Sequence, residues 1–524
     1  MGRKMVQIDL RKLKMTTLIT LSLPIIIFLF GWVKLALALP LALLVGASLY
    51  IIDRGYKQDN KIEEKQNTLE ISRGGFLFLI FAALLWCFLA GQGGFFHQTE
   101  DHNFRNALFR DLINRPWPVS YKSSNTALVY YFSYWMIPSS LGKASLLFAS
   151  AGQAWVIGNF FLLCWSSLLV FLTFLLLVTK LKVASIKGIV VATLIYIFFS
   201  GLDIVGLITV QQNRSNDLEW WSYFYQYSAN TTQLFWVFNQ STPTWALMLL
   251  LWQEKNIRNY AFIGLLIFVF APIPFIGALP FLVAGAIAYA IKSYKDKKGA
   301  DFWRKLFSFQ NVVAVLLLFP VFALFFSASR AISDTGGGSP LQIYIGQHVW
   351  SLGKSVLIYL WFCILEFGVY ALIIFKDNIK NRMFWISVIS LSFIGLFRLS
   401  GKVDFAMRAS IPALVVLVVL VIAYIKQHMT KISQKAKKPR FSWTEKMMVG
   451  VLVIALAIGS ITPLTDYIRA FISVKYVGML NAVEDDITTF SAVYPDGTQR
   501  IYANFMSTGY YDSDFAKFLG KEIK

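Results

Sequence analysis

Long apolar runs recur along almost all of this 524-residue chain, and no other sequence feature constrains its fold as strongly. About 20 apolar residues in helical conformation cross a bilayer core. The chain is 57% hydrophobic and only 15% charged, which excludes a water-soluble enzyme. We therefore predict an all-α integral membrane protein with about 13 transmembrane helices. The runs lie at about 16–33, 35–52, 74–91, 153–178, 188–207, 233–252, 259–273, 275–291, 309–328, 354–375, 383–397, 409–425 and 447–463.

The basic residues are distributed unequally between the segments that connect these runs. With Met1 in the cytoplasm, the cytoplasmic segments hold 31 of the 49 Lys and Arg residues. Cytoplasmic loops carry such an excess, and basic clusters there face anionic lipids. We therefore expect a multi-pass cell-membrane protein with a cytoplasmic N-terminus, an extracytoplasmic C-terminus and no nucleic-acid partner, despite the net charge of +21. The cytoplasmic segments are 1–15, 53–73, 179–187, 253–258, 292–308, 376–382 and 426–446.

The remaining connecting segments fall outside the cytoplasm, and ionisable and aromatic residues collect in them. These external segments are about 92–152, 208–232, 329–353 and 398–408. We predict a polytopic membrane domain over 1–463, followed by a small extracytoplasmic segment over 464–524. In that segment, residues 489–494 and 499–505 flank Pro495-Asp496-Gly497, a typical hairpin signal.

An acidic pair, Glu100-Asp101, follows the third apolar run directly. From Asp101 to Asn114 apolar residues repeat every four positions, which predicts a helix lying in the membrane interface. One interpretation is that Asp101 caps this helix. The other is that Asp101 is a general base, because His102 and Arg105 make this segment unusually ionisable for so apolar a chain.

Aromatic residues surround these acids in the same external segment. Trp117 and the pair Tyr130-Tyr131 are typical of an aromatic belt at the membrane surface, or form a platform for a sugar ring or lipid tail. The next external segment adds Glu219-Trp220, a second candidate acid beside a tryptophan. Asn239-Gln240 follows in the next run, where such a pair packs against other helices or lines a cavity.

Three cations lie beside one acid at the outer end of the twelfth run. Asp404 and Arg408 are spaced for an ion pair on one helix, which leaves Arg398 and Lys402 in surplus. Because guanidinium groups match phosphate oxygens, a phosphate at the membrane surface is their natural partner. Two further acids, Asp203 and Glu366, fall inside apolar runs, where an acid is costly and often functional.

Four short motifs give the chain a resemblance to a known superfamily. They are Gln98-Thr99-Glu100-Asp101, Trp117-Pro118-Val119, Leu128-Val129-Tyr130-Tyr131 and Asp404-Phe405-Ala406-Met407-Arg408. They resemble GT-C-like proteins of Gram-positive bacteria. The GT-C superfamily comprises multi-spanning glycosyltransferases that take a sugar from a polyprenyl-phosphate carrier on the outer face of a membrane. Here the acidic order is Glu-Asp, and the pair follows the third helix rather than the first, so two extra N-terminal helices over 16–52 are implied.

The resemblance implies an inverting transfer to a glycan, lipid or protein acceptor of the cell envelope. Asp101 would be the general base, with Glu100 as its partner or substitute. Arg408, Arg398 and Lys402 would bind the lipid phosphate. No ligand spacing predicts a metal site, although the superfamily leaves a divalent cofactor open. The expected substrate cavity is lined by His102, Arg105, Glu219, Trp220, Asn239, Gln240 and Asp404.

Two other functions compete with sugar transfer. A transporter or flippase of lipid-linked saccharides would place charged residues along a path through the membrane, with Glu366 as one candidate. The chain shows no inverted repeat of the kind found in many transporters, which weakens that alternative. A polymerase or ligase of the O-antigen type would carry a much larger external loop late in the chain.

Overall fold

The computed structural model describes residues 5–62, 68–122, 125–210, 217–329, 341–343, 351–399, 404–433, 443–476 and 505–523. Within these residues the chain is a helical bundle with three small antiparallel sheets. The helices are α1 (Leu10–Trp32), α2 (Leu35–Ile62), α3 (Arg73–Leu89), α4 (Glu100–Asn114), α5 (Met136–Ser145), α6 (Ala151–Leu181), α7 (Ile186–Phe198), α8 (Asp203–Val210), α9 (Asn230–Trp236), α10 (Phe238–Trp252), α11 (Tyr260–Phe270), α12 (Pro272–Lys295), α13 (Gly299–Leu306), α14 (Phe309–Val312), α15 (Phe319–Ser327), α16 (Leu352–Cys363), α17 (Val369–Asn378), α18 (Arg382–Ile394), α19 (Asp404–Ala409), α20 (Ile411–Ser433), α21 (Trp443–Gly459) and α22 (Ile461–Tyr476).

Helical stretches of membrane-spanning length confirm the predicted all-α membrane class. In the described part of the chain, nine stretches are long and apolar enough to cross a bilayer. The number thirteen stays a prediction, because Arg73–Leu89, Ile257–Phe270 and Arg382–Ile394 are apolar but shorter. The nine are Leu10–Trp32, Leu35–Asp59, Ala151–Leu181, Ile186–Val210, Pro272–Lys295, Phe309–Ser327, Leu352–Asn378, Ile411–His428 and Trp443–Lys475.

Burial distinguishes central helices from peripheral ones. In the most apolar 18 residues of each stretch, 83% are buried in Ile411–His428 and 72% in Ala151–Leu181. The corresponding shares are 22% in Leu35–Asp59 and 28% in Pro272–Lys295. A helix satisfies its own backbone hydrogen bonds, so a peripheral helix can present apolar side chains to lipid. α6 and α20 therefore form the centre of the bundle, and α2 and α12 its edge.

Three short antiparallel sheets join segments that are distant in sequence. β1 (Met5–Asp9) pairs with β2 (Thr68–Ser72), with Met5 opposite Ser72. β5 (Leu341–Ile343) pairs with β6 (Phe397–Leu399). β3 (Ser120–Tyr121), β4 (Thr126–Leu128) and β7 (Met506–Ser507) form the third sheet, in which Leu128 lies opposite Met506. The C-terminal segment is thereby tied to the first external segment, while its predicted hairpin, except for Phe505, lies outside the described residues.

The two ends of the bundle differ in chemistry. At the beginning of α1, Lys14 forms a buried ion pair with Glu254 at 3.1 Å, and Tyr56 donates to the same carboxylate at 2.6 Å. At the other end of α1, Trp32 packs against Trp117 with ring centroids 5.3 Å apart. Segments predicted to be cytoplasmic therefore meet at one end, and segments predicted to be external meet at the other.

Candidate functional site

A cavity of about 300 Å³ opens where the predicted external segments meet. It is bounded by the start of α4, residues 217–228, α9, α19 and α22. The predicted external segments 92–152, 208–232 and 398–408 and the segment after residue 463 therefore contribute to one site. Its polar and charged lining residues are Asp101, Asp217, Glu219, Gln226, Ser228, Thr232, Asp404, Arg408, Thr462, Thr465, Asp466 and Arg469.

The start of α4 is held in place by hydrogen bonds to neighbouring segments. Gln98 donates to the carbonyl of Gly91 at 2.9 Å and accepts from Asn106 at 2.8 Å. Gly91 adopts a φ of 77°, a left-handed conformation that glycine tolerates without strain. Thr99 is the N-cap residue, and α4 begins at Glu100. The predicted helix is confirmed, and Asp101 lies in its first turn rather than at its cap.

Asp101 presents its carboxylate to the cavity. Its side chain is 45% exposed and forms an ion pair at 3.0 Å with Arg105, one turn further along α4. Arg105 is buried, and its guanidinium lies over the ring of Phe238 at 5.3 Å. The positive end of the helix dipole and this cation both lie beside the carboxylate. Asp101 is therefore a fixed carboxylate that faces open space on one side.

The residues that flank Asp101 have different surroundings. Glu100 is exposed and does not line the cavity. His102 is buried, its Nδ1 lies 2.9 Å from the Thr99 hydroxyl, and its ring stacks on Phe238. Burial and the positive charge of Arg105 lower the pKa of His102 well below its ordinary value, so its imidazole is neutral at pH 7. His102 therefore belongs to the support of the site and not to its lining.

Glu219 lies in the cavity wall and is almost completely buried. Its carboxyl accepts hydrogen bonds from the Ser228 hydroxyl at 2.6 Å, the Gln226 amide at 2.9 Å and the Ala229 backbone at 2.8 Å. Burial and the nearby Asp203 carboxyl raise the pKa of Glu219 to about 8. This shift favours the protonated form of Glu219. The adjacent Trp220 also lines the cavity.

Arg408 contributes a cation to the opposite wall of the cavity. Its guanidinium forms an ion pair with Asp404 at 3.2 Å and donates to the Tyr131 hydroxyl at 3.1 Å. Gln240 donates to the same hydroxyl at 3.3 Å, so this residue supports the site through Tyr131. Arg408 Nε is buried and has no hydrogen-bond partner among the described residues. The Asp404–Arg408 pair predicted from spacing is confirmed, and one buried donor of Arg408 has no partner among the described residues.

Three other predicted residues are placed elsewhere or are not described. Arg398 is buried, donates to the Phe224 carbonyl at 2.8 Å and lies over the Phe224 ring, and it does not line the cavity. Asn239 is buried in α10, also outside the lining. Lys402 falls outside the described residues. The roles predicted for these residues stay predictions.

Sequence reasoning missed a charged cluster on α22. Arg469 forms an ion pair with Asp217 and lies 3.9 Å from Asp466. Asp466 accepts a hydrogen bond from Thr232 at 2.6 Å. Both residues follow the last apolar run and lie in 464–524, which the sequence predicted to be a small extracytoplasmic segment outside the membrane domain. The signal was present, because Thr462, Asp466 and Arg469 follow helical spacing and share one face.

The described lining therefore contains five carboxyl groups and two guanidinium groups. The guanidinium groups suit a phosphate, and the carboxyl groups suit hydroxyl groups, either as hydrogen-bond acceptors or as proton acceptors. No group of three or more His, Cys, Asp or Glu side chains in the described residues is placed to hold a metal ion.

Comparison with known proteins assigns no relative to the chain. No protein-family model, no curated protein and no solved structure matches it. The resemblance to GT-C glycosyltransferases therefore stays a prediction from short motifs. The geometry of the cavity is therefore the basis for a functional proposal.

Proposed function

We propose that the chain is a membrane glycosyltransferase that moves a sugar from a polyprenyl-phosphate carrier to a cell-envelope acceptor on the outer face of the membrane. The observation that carries this proposal is that one cavity is lined by both a partly exposed carboxylate, Asp101, and a guanidinium with an unused donor, Arg408. Sugar transfer from a lipid phosphate needs this combination, because an anion leaves while a hydroxyl loses its proton.

The leaving group determines the role of the cations. When the bond between the anomeric carbon and the phosphate oxygen breaks, its electron pair stays on the phosphate. Arg408 stabilises that developing charge, and the fork geometry of its guanidinium matches phosphate oxygens. Arg469 lines the same cavity and adds a second positive charge, partly neutralised by Asp217 and Asp466.

The acceptor determines the role of the carboxylate. Its hydroxyl oxygen attacks the anomeric carbon from the face opposite the phosphate, so the configuration inverts. The hydroxyl proton moves to Asp101, which Arg105 holds in place. Glu100 is the weaker candidate because it is outside the cavity lining.

The size of the cavity favours a small donor group. Its volume of about 300 Å³ lies at the lower end of the roughly 300–1,000 Å³ that small-molecule sites occupy. Trp220 and Trp236 lie in the lining, where an indole face can pack against a sugar ring. A single hexose or pentose on a lipid phosphate suits this space better than a long glycan does.

Substitution of the two neighbouring acids tests the proposal. The full-length protein in lipid vesicles is given a panel of polyprenyl-phosphate hexoses and pentoses with a cell-envelope fraction, and release of polyprenyl phosphate is measured. Asp101→Asn should lower the rate about 10²- to 10⁴-fold, the usual contribution of a general base. Glu100→Gln is the matched control and should remain close to wild type. Wild-type transfer by Asp101→Asn, or no release from any donor by the unaltered protein, would contradict the proposal.

A transporter of lipid-linked saccharides is the second candidate, and one observation favours it. Asp203 and Glu366, both buried within membrane-spanning stretches, lie next to each other behind the cavity wall. Acids in such positions often line the route of a substrate or coupling ion. A transporter would move the lipid-linked sugar across vesicles with its glycosidic bond intact, whereas the transferase would release polyprenyl phosphate.

A further inference from the structure

Two acids from different membrane-spanning stretches meet inside the bundle. Asp203 begins α8 and is 1% exposed, and Glu366 lies in the segment between α16 and α17 and is 2% exposed. Their carboxyl groups are close neighbours. A carboxylate has no hydrogen to donate, so the two groups can form a hydrogen bond with each other only when one of them carries a proton.

The hydrogen bonds around the pair indicate which acid holds the proton. Asp203 Oδ2 accepts from the Ser200 hydroxyl at 2.9 Å and from the Thr462 hydroxyl at 2.7 Å. Glu366 Oε1 accepts one bond, from the Trp221 indole at 3.0 Å. Asp203 Oδ1 is buried and has no hydrogen-bond partner among the described residues. A proton on Glu366 that points to Asp203 Oδ1 therefore completes the network, with Asp203 as the ionised partner.

The surroundings of the pair contain acids rather than cations. Within the described residues, neither Asp203 nor Glu366 forms an ion pair with a Lys, Arg or His side chain. The titratable groups that interact with the pair include Glu219 from the cavity wall, Asp466 from α22, Tyr370 from α17, Tyr227 and Cys363. Two buried acids without a cation can be accommodated when they share a proton.

The backbone is interrupted on both sides to form this site. α7 ends at Phe198 and α8 begins at Asp203, so residues 199–202 are not helical. Facing them, Ile364–Gly368 is a π-helical segment, a distortion that occurs frequently at functional sites. The Leu202 amide donates to the Leu365 carbonyl at 3.0 Å and joins the two interruptions.

Side chains and a glycine stabilise the interruption. Asn230 and Thr231 donate to the carbonyls of Tyr196 and Ile197 at 2.8 and 2.7 Å, which satisfies groups that the end of α7 leaves free. A Cβ on Gly201 would lie 2.2 Å from Glu366 Oε2, so only glycine leaves space for the carboxyl. Several elements are thus adapted to hold two acids together, which an incidental pair would not require.

Thr462 connects the pair with the cavity. It lines the cavity, and its hydroxyl donates to Asp203. We propose that Asp203 and Glu366 form a proton-binding site within the membrane that exchanges its proton with the cavity through Thr462. Glu366 passes its proton to Asp203 Oδ1, the protonated Asp203 carboxyl turns so that this O–H donates to the Thr462 oxygen, and Thr462 takes up that proton while it releases its own hydroxyl proton to water; the reverse steps return a proton from water to the pair. Only O–H bonds change. The site is independent of the sugar-transfer proposal.

Infrared spectroscopy on the full-length protein in lipid tests the shared proton. The unaltered protein at pH 7 should show absorption from protonated carboxyl groups, and part of it should be lost in both Glu366→Gln and Asp203→Asn. In each variant the new amide can donate to the remaining carboxylate, so no proton is needed there. Glu254→Gln is the matched control, because the Glu254 side chain is also buried but is paired with the cation Lys14 instead of a second acid. If neither Glu366→Gln nor Asp203→Asn changed the carboxyl absorption, the proposal would be overturned.

Exchange in heavy water tests the route. The carboxyl band of the pair should shift as deuterium replaces its proton, and Thr462→Val should slow this shift at least several-fold. Thr465→Val is the control, because Thr465 lines the same cavity but donates to the Thr462 carbonyl instead of Asp203. Thermal unfolding of each variant verifies its folding. Equal exchange in Thr462→Val and the unaltered protein would overturn the route through Thr462.

Discussion

Two acids of the cavity have different surroundings. Asp101 is half-exposed and forms an ion pair with Arg105. Glu219 is buried beside other acids, and its pKa rises to about 8. Protonation of Glu219 leaves the wall around it less repulsive to a phosphate.

The raised pKa of Glu219 predicts a pH-dependent stability. The folded chain keeps this proton up to about pH 8, whereas an unfolded glutamate loses it near the ordinary value of 4.5. The stabilising contribution of this proton is therefore complete below pH 4.5 and is lost as the pH rises towards 8. Between pH 5 and 8 the melting temperature of the unaltered protein should fall relative to that of Glu219→Gln, which cannot ionise.

A control separates this effect from other titrations. Glu100→Gln removes an exposed acid from the same end of the bundle and should reproduce the pH profile of the unaltered protein. If the melting temperatures of Glu219→Gln and the unaltered protein remained parallel across this range, the folded Glu219 would already be ionised at pH 5.

At the scale of elements, close packing of α12 determines the position of the cation in the cavity. Gly277 of α12 faces the backbone of α19, and a Cβ at this position would lie 1.8 Å from the Ala409 carbonyl oxygen. Ala409 directly follows Arg408, so the contact fixes the end of α19 that carries the guanidinium. A rigid backbone contact of this kind cannot yield by rotation of a side chain.

Gly277→Ala should therefore displace α19 and destabilise the protein by about 1–3 kcal/mol, the usual cost of overpacking. The measurement is thermal unfolding in detergent together with polyprenyl-phosphate release. Gly450→Ala in α21 is the matched control, because a Cβ there meets no atom within 4 Å. If the two variants were equally stable, α19 would shift without a loss in the free energy of unfolding, and Gly277 would not fix its position.

Elements with regular spacing could be predicted from the sequence, and those defined by distant contacts could not. The periodicity after Asp101 predicted α4, and the spacing of Asp404 and Arg408 predicted their ion pair, because both patterns are local. The burial of Arg398 beneath Phe224 depends on residues 174 positions apart. The contribution of α22 to the cavity was missed because Pro463 was taken as the end of the bundle.

For the whole molecule, the distribution of charge is the observation that defines its two ends. Segments rich in Lys and Arg meet where α1 begins, and the segments that form the cavity meet where α1 ends. The sequence predicted this separation because basic residues mark cytoplasmic loops. It could not predict which external residues touch, since that depends on how the helices pack. The pairing of Asp203 with Glu366 was likewise not predictable from the positions of two isolated acids.

Labelling of single cysteines tests the orientation. In a variant lacking Cys87, Cys164 and Cys363, cysteine is introduced either for Asp512, near the cavity end, or for Lys298, near the basic end. A membrane-impermeant maleimide applied to intact cells should label Asp512→Cys and leave Lys298→Cys unlabelled. Both should react after permeabilisation. The reverse pattern in intact cells would place the cavity in the cytoplasm and exclude the proposed donor.

The position of a bound lipid phosphate tests whether Arg408 and Asp101 belong to one sugar-transfer site. The measurement is an experimental structure of the full-length protein with polyprenyl phosphate in a lipid environment. We expect a phosphate within hydrogen-bond distance of Arg408, about 3 Å, with Asp101 facing the same space across the cavity. A phosphate bound outside this cavity, with Arg408 still paired only to Asp404 and Tyr131, would contradict the proposed role of Arg408 in sugar transfer.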